Sequence, residues 1–282
     1  MTLFYEGSDG TVINLMGEGV YAQEPETLIK NEWKYSTISG VNGVGRVKRF
    51  YKDAKESPLT LGIMAEDKEQ FDEIMFRIHR TFDRDIRRMK PGKLWWGDFY
   101  KEVFAVVTTY SDFEELFESI DQKVNFLSVY DYWVRKNIFK YTGASGSGTD
   151  TGLDFPHDYP HDYPHDYAAE DVVEVIENDC INAANFEIRF YGPVANPYVV
   201  IGDHTYEVFV TLNAAETAVI NSLSRTVTKY DEYGNAENIF YLRGRDDYVF
   251  EKIPEGATII GRNRAHPIDI TIYDERGEPE WI

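Results

Sequence analysis

Near its middle the chain reads Phe155-Pro156-His157-Asp158-Tyr159-Pro160-His161-Asp162-Tyr163-Pro164-His165-Asp166-Tyr167, shortly after the small-residue tract Thr142-Gly-Ala-Ser-Gly-Ser-Gly148. Proline fixes φ and donates no backbone hydrogen bond, so prolines at four-residue steps forbid both a helix and a central strand. Glycine and serine tracts behave as flexible coil. Residues 142–169 therefore read as a linker, with one domain expected over 1–141 and another over 170–282. A chain of 282 residues is long enough for two domains of roughly 130 residues each. Aromatic residues make up 15% of it, mostly tyrosine and phenylalanine, which favours strands over helices.

The His-Asp repeat invites a metal-site reading, since imidazole and carboxylate are good ligands. Its geometry argues otherwise. In polyproline II, with three residues per turn, a four-residue step rotates each copy by about 120°. His157, His161 and His165 then point three different ways, and only a chain of tight turns would gather them. A spacer or docking strap is the expected role, with no metal and no other cofactor.

Composition narrows the function classes. The single cysteine, Cys180, excludes an internal disulfide framework and fits a reducing cytosol or a particle assembled there. The opening Met-Thr-Leu-Phe-Tyr-Glu-Gly has no basic n-region or apolar h-region, so no signal peptide is expected. Nowhere do about 20 apolar residues run together, so no membrane insertion is expected either. Net charge is −20 and unevenly spread. Residues 1–150 carry 20 Lys and Arg against 24 Asp and Glu, whereas residues 151–282 carry 9 against 25. So acidic a second half disfavours specific nucleic-acid binding, which needs a positive footprint.

In the first half, Asn42-Gly43 is a strong hairpin signal because both residues tolerate positive φ. It lies between the β-prone segments Trp33–Thr37 and Arg46–Tyr51, so a long two-stranded ribbon is expected. Such a ribbon is marginal alone and needs something to lie against. From Glu66 to Met89 the period turns helical, with Phe71, Ile74, Met75, Ile78, Phe82, Ile86 and Met89 as the apolar stripe. Acidic residues gather at its start and basic ones at its end, as the helix dipole prefers. Arg77, Arg80, Arg84, Arg87 and Arg88 share one face, which reads as solvated or as facing another subunit. Strands are expected at Lys93–Tyr100, Val103–Tyr110 and Lys123–Val134. Trp95, Trp96 and Trp133 fall inside these strands, which favours core packing over a sugar-stacking platform.

Beyond the repeat the chain reads as strand after strand. The expected strands are Val172–Ile176, Phe186–Tyr191, Tyr198–Ile201, Tyr206–Leu212, Ala218–Ile220, Arg225–Tyr230, Asn238–Leu242, Val249–Ile253, Thr258–Ile260 and Ile268–Tyr273. Turn residues such as Gly192-Pro193, Asn196-Pro197 and Gly202-Asp203 punctuate them. Short strands at this spacing indicate an antiparallel β-sandwich. The fold class expected is thus α+β, mostly β: a first domain with one long helix on a sheet, then a sandwich. No Ser/His/Asp motif, Cys/His dyad or phosphate loop is present, and no enzymatic activity is expected. Asp53 and Asp246-Asp247 read as turn or surface charges.

Taken in order, several motifs resemble the distal tail protein family of long-tailed bacteriophages. They are Ser8-Asp9-Gly10 after an aromatic strand, Gly40-Val-Asn-Gly43, Lys90-Pro-Gly-Lys-Leu94 and Val129-Tyr-Asp-Tyr-Trp133. The Phe155–Tyr167 linker, Asn196-Pro-Tyr-Val-Val-Ile-Gly202, Gly234-Asn-Ala-Glu-Asn238 and Phe250-Glu-Lys-Ile-Pro-Glu-Gly256 follow. The resemblance implies a ring-forming structural protein of the virion tail tip, usually a hexamer, assembled in the host cytoplasm. It implies a ring built by the first domains, with galectin-like second domains at the periphery. The implied partners are other copies of the chain, the tail tube protein, and a tail-tip hub or tail-associated lysin. A receptor-binding protein or host glycan would be met at the rim. The alternative is a carbohydrate-binding adhesion module directed at wall glycans.

Overall fold

A computed structural model of the chain describes residues 2–17, 19–40, 43–114, 119–142, 174–262 and 266–280, with backbone alone at 111–114 and 119. Two compact units emerge, residues 1–135 with 275–282, and residues 136–274. Asn42 and the Pro-His-Asp-Tyr repeat lie outside the described residues.

In the first unit, strand Leu3–Glu6 pairs with Val12–Asn14 across the Ser8-Asp9-Gly10 turn and with Gly92–Trp96 on its other edge. Gly92–Trp96 turns at Gly97-Asp98 into the long strand Phe99–Glu114, which also pairs with Ser119–Ser128. Ser119–Ser128 continues to Lys55–Met64, and that strand to Val20–Gln23. Because Phe99–Glu114 serves both halves, the antiparallel sheet curls around one core. Period-two burial turns Leu3, Tyr5, Leu59, Leu61 and Ile63 inward. Gly62 is required where it stands, since a Cβ there would run into the ring of Tyr21 on the neighbouring strand.

The helix runs Lys68–Arg88. Asp67 caps it by accepting from the Gln70 backbone N–H at 2.8 Å, while the Gln70 side chain accepts from Glu66 N–H at 2.7 Å. This reciprocal pattern resembles a capping box. At the other end Met89 takes a left-handed conformation, φ 52°, and Lys90 N–H donates to Asp85 C=O at 3.1 Å. Ile74, Ile78 and Phe82 are buried as the stripe predicts. Its last turn departs from the pattern: Ile86 and Met89 are exposed, and Asp85 is buried instead. Asp85 accepts from Tyr5 Oη at 2.6 Å and from Ser8 N–H at 2.9 Å, so two donors from the first strand region satisfy the carboxylate. Burial, and then Asp85, push the Tyr5 phenol well above its usual range.

Two expected strands break. Lys93–Tyr100 turns at Gly97-Asp98, where Gly97 has φ 58° and Trp96 pairs with Phe99. Lys123–Val134 stops at Ser128 and resumes at Trp133, because residues 129–132 bend to carry Asp131 inward.

The second unit is an antiparallel β-sandwich. One sheet orders Ala236–Asn238, Thr226–Tyr230, Thr217–Asn221, Asn185–Tyr191 and Ile268–Arg276; the other orders Glu174–Asn178, Gly256–Arg262, Tyr198–Ile201 and His204–Glu207. Ile188, Phe190, Ile220 and Ile270 from the first meet Ile176, Val199, Ile201 and Tyr206 from the second in one core. Three expected strands are corrected. Asn238 Oδ1 accepts from Phe240 N–H at 3.0 Å, and this bend sends Phe240–Leu242 into a 3-10 turn. Val249 and Phe250 are buried but sit in a turn closed by Glu251 N–H to Tyr248 C=O at 2.8 Å. Tyr206–Leu212 is interrupted after Glu207, and Thr211–Leu212 pairs instead with Val194–Ala195.

Candidate assembly surface

Strands Lys34–Ser39 and Gly45–Tyr51 form the expected ribbon, a two-stranded sheet joined to no other strand among the described residues. Its turn is closed by Gly43 N–H to Gly40 C=O at 3.1 Å and Gly40 N–H to Val44 C=O at 3.0 Å. Gly43 has φ +73°, a conformation that favours glycine. Tyr35 faces Phe50 across the ribbon, their rings 6.4 Å apart. Tyr35 and Phe50 are 64% and 62% exposed, and Ile38, Val44 and Val47 are exposed too. Covering half of each such side chain contributes roughly 1 kcal/mol. The free edges also leave backbone N–H and C=O groups available for strand pairing.

The root of this ribbon is held firmly. Lys52, just past its second strand, has a side chain only 3% exposed and donates to Asp131 C=O at 2.9 Å, with the Asp131 carboxylate 3.8 Å away. Lys101 donates to the same carboxylate at 2.6 Å. Lys52 also lies over the rings of Trp33 and Tyr132, and Lys101 over Trp133. Two ammoniums thus share one carboxylate inside the unit. Burial lowers the pKa of both lysines, and Asp131 opposes that shift. Neither lysine was singled out by sequence patterning. The available signal was Asp131 itself, an acid set among Tyr130, Tyr132 and Trp133.

The arginines share an outer helix face, as their spacing predicts, but the structure divides them. Arg77, Arg80 and Arg84 line one open basin of about 360 Å³ with Phe76, Glu73 and Asp9. Arg84 is paired with Asp9 of the Ser8-Asp9-Gly10 turn. Arg87 makes an exposed pair with Asp83 at 3.7 Å, and neither it nor Arg88 lines the basin. Arg80 lies over the ring of Phe76, and neither it nor Arg77 has a carboxylate partner among the described residues. Trp96 and Trp133 are core residues, and Trp95 stacks on Phe4 and donates to Glu6 at 2.8 Å. Among the described residues no three His, Cys, Asp or Glu side chains converge as metal ligands, and no helix is long and apolar enough to cross a membrane.

The fold, a curled first unit with one helix and a ribbon and a second unit that is a β-sandwich, is one met among solved phage structures. Among solved structures, the chain shares its fold with SPP1 Dit, described as a paradigm of the hub adsorption apparatus in phages infecting Gram-positive bacteria. The TM-score is 0.54 and identity 12%, over 97% of this chain and 98% of that one. Chains of the phage P2 baseplate in its activated conformation match with TM-score 0.63. The calcium form is 14% identical over 99% of this chain and 100% of that one, and the strontium form 15% over 99% of each. No family model and no curated protein matches the sequence.

Proposed function

We propose that this chain is a structural hub protein of a bacteriophage tail tip, a distal tail protein forming a homo-oligomeric ring of six copies. The ring joins the tail tube protein to the tail-tip hub or tail-associated lysin, and the second unit faces a receptor-binding protein or host glycan. The observation that carries this reading is the ribbon. A lone two-stranded hairpin is marginal in water, yet this one keeps its tyrosine, phenylalanine and isoleucine exposed. A neighbouring copy supplies the missing cover and strand partner. The shared fold with hub and baseplate proteins supports the same role, which is architectural rather than catalytic.

Charge is compatible with assembly. Most of the −20 lies in residues 151–282, and exposed charges are screened over about 8–10 Å at moderate salt. Near-neutral contacts in the first unit therefore meet little repulsion. Light scattering and negative-stain imaging of the full chain test this: rings of six times 32.6 kDa are expected. Gly43→Pro removes the N–H bonded to Gly40 and excludes the positive φ, and Tyr35→Asp with Phe50→Asp charges the apolar face. Both variants are expected to be folded monomers. A monomeric wild-type chain, or variants that still form rings, would refute the ribbon's role. The exposed Tyr233, Tyr241 and Tyr248 of the sandwich favour the second reading, a glycan-binding adhesion module, which saturable binding to wall polymers by a monomeric chain would support.

A further inference from the structure

The ribbon carries different chemistry on its two faces. A β-bulge lets Ser36 pair with Arg49 and Thr37 with Val47, so Lys48 is the extra residue. Simple alternation along Gly45–Tyr51 would set Arg46 on the face of Phe50. The bulge sets it, opposite Ile38, on the face of Arg49, opposite Ser36. Tyr35, Thr37, Val47 and Phe50 therefore share one face, and Lys34, Ile38, Arg46, Arg49 and Tyr51 share the other. Arg49 lies 5.0 Å from the centre of the Tyr51 ring, as same-face neighbours do. Residues 33–52 hold five Lys and Arg and no Asp or Glu, in a chain of net charge −20. Lys34 has an exposed partner in Asp53 at 2.8 Å. Arg46 and Arg49 are exposed and have no carboxylate partner among the described residues.

The first unit also presents the complementary charge. Residues 66–73, covering the helix cap and its opening turns, hold five Asp and Glu against one Lys. Glu69, Asp72 and Glu73 are exposed and share an outer helix face with Phe76, which is 62% exposed. None of these three acids has a basic partner among the described residues, so no ion pair joins them to the ribbon within one copy. The spacings agree. Arg46 and Arg49 stand two rungs apart on the ribbon, about 7 Å, and Glu69 to Glu73 covers about 6 Å. Ile38 on the ribbon face matches Phe76 on the helix face, apolar beside charge on each. Arg77 and Arg80 follow one turn later and repel a ribbon set further along, which fixes the register.

We propose that the cationic face of the ribbon docks on the acidic start of the helix in the next copy, a contact that rests on the ring proposed above. Two patches of opposite charge on one chain, unpaired within it, make a heterologous contact, which repeats head to tail and closes into a ring. Ribbon against ribbon would set like charges together and is disfavoured. Tyr35 and Phe50 stay on the opposite face, so the charged contact and the apolar one are separable by mutation. Most of the net negative charge lies in residues 151–282, and pairing acid with base in the first unit gives attraction at the contact itself.

Charge exchange on the full chain tests this by native mass spectrometry and light scattering. Arg46→Glu with Arg49→Glu makes the ribbon face acidic, and Glu69→Lys, Asp72→Lys and Glu73→Lys together make the helix start basic. Each variant alone is expected to need about tenfold more protein for half-assembly than the wild type. An equimolar mixture is expected to restore rings holding both chains in equal number, because each reversed surface then meets its opposite. All five substitutions in one chain restore rings as well. Rings formed by either variant as readily as by the wild type overturn the contact, leave the ring reading standing and assign the arginines to an acidic surface of another protein. A mixture and a five-fold chain that both fail to recover rings overturn it too. A wild-type chain that stays monomeric overturns both the contact and the ring.

Discussion

The shared carboxylate at the ribbon root gives the sharpest mutational test of the first unit. Asp131→Asn keeps the shape of the side chain and removes its charge. Lys52 and Lys101, whose side chains are each under 5% exposed, then repel each other without the carboxylate they share. Removing one partner of a buried pair costs about 3–5 kcal/mol, and here two cations lose the same partner. Lys52→Met acts in the opposite sense. It leaves a balanced Lys101–Asp131 pair at 2.6 Å and removes one costly buried ammonium, at the loss of its contacts with Trp33 and Tyr132. Its net cost is about 1 kcal/mol or less. The ranking, with Asp131→Asn far worse than Lys52→Met, follows from charge balance rather than from the number of bonds lost.

Tryptophan fluorescence is a selective assay for this. Trp33, Trp95, Trp96 and Trp133 belong to the first unit, so in a Trp281→Phe background emission during heating follows that unit alone. At roughly 3–4 °C per kcal/mol for a unit of this size, Asp131→Asn lowers its midpoint by about 10–20 °C and Lys52→Met by about 4 °C at most. Equal losses for the two variants, or a drop of only a few degrees for Asp131→Asn, would refute the charge-balance reasoning.

Two further outcomes are expected. Tyr191 is pushed up to about 12, first by burial and then by its bond to Asp269, while its unfolded phenol titrates near pH 10. A raised folded pKa contributes stability that is full below about pH 10 and is lost as pH rises towards about 12. Urea midpoints followed by far-UV circular dichroism should therefore fall across that window, and Tyr191→Phe should flatten the fall; an unchanged slope contradicts the assignment. The proline spacing also disperses the three repeat imidazoles, so elemental analysis of untagged protein is expected to find no stoichiometric zinc or nickel. One metal per chain, lost when His157, His161 and His165 are replaced, overturns that expectation.

What the sequence revealed and what it hid separate along one physical line. Features set by local chemistry were legible. The helix appears from its apolar period and its charged ends, and the ribbon appears around Asn42-Gly43. The sandwich strands follow from alternating apolar residues between turn signals. The misses are places where a residue's partner is remote in sequence. Asp85 looks like one more surface acid on the helix, and only Tyr5 and the Ser8 backbone, nearly eighty or more residues away, make its burial favourable. Asp131 breaks an alternating strand because Lys52 and Lys101 wait inside. Val249 and Phe250 are apolar enough for a strand, yet the core takes them from a turn, since burial rewards apolar area whatever the backbone carries it. The assembly surface was half legible for the same reason. Its ribbon and arginine face are local patterns that spacing exposes. The division of the arginines into a basin of three and two others depends on where Asp9 is delivered by a turn some seventy residues earlier. Arg262, whose guanidinium donates to Thr142 C=O and to the Glu174 carboxylate, is the extreme case. Nothing near that residue in sequence marks it, because its partners at 142 and 174 lie about a hundred residues upstream.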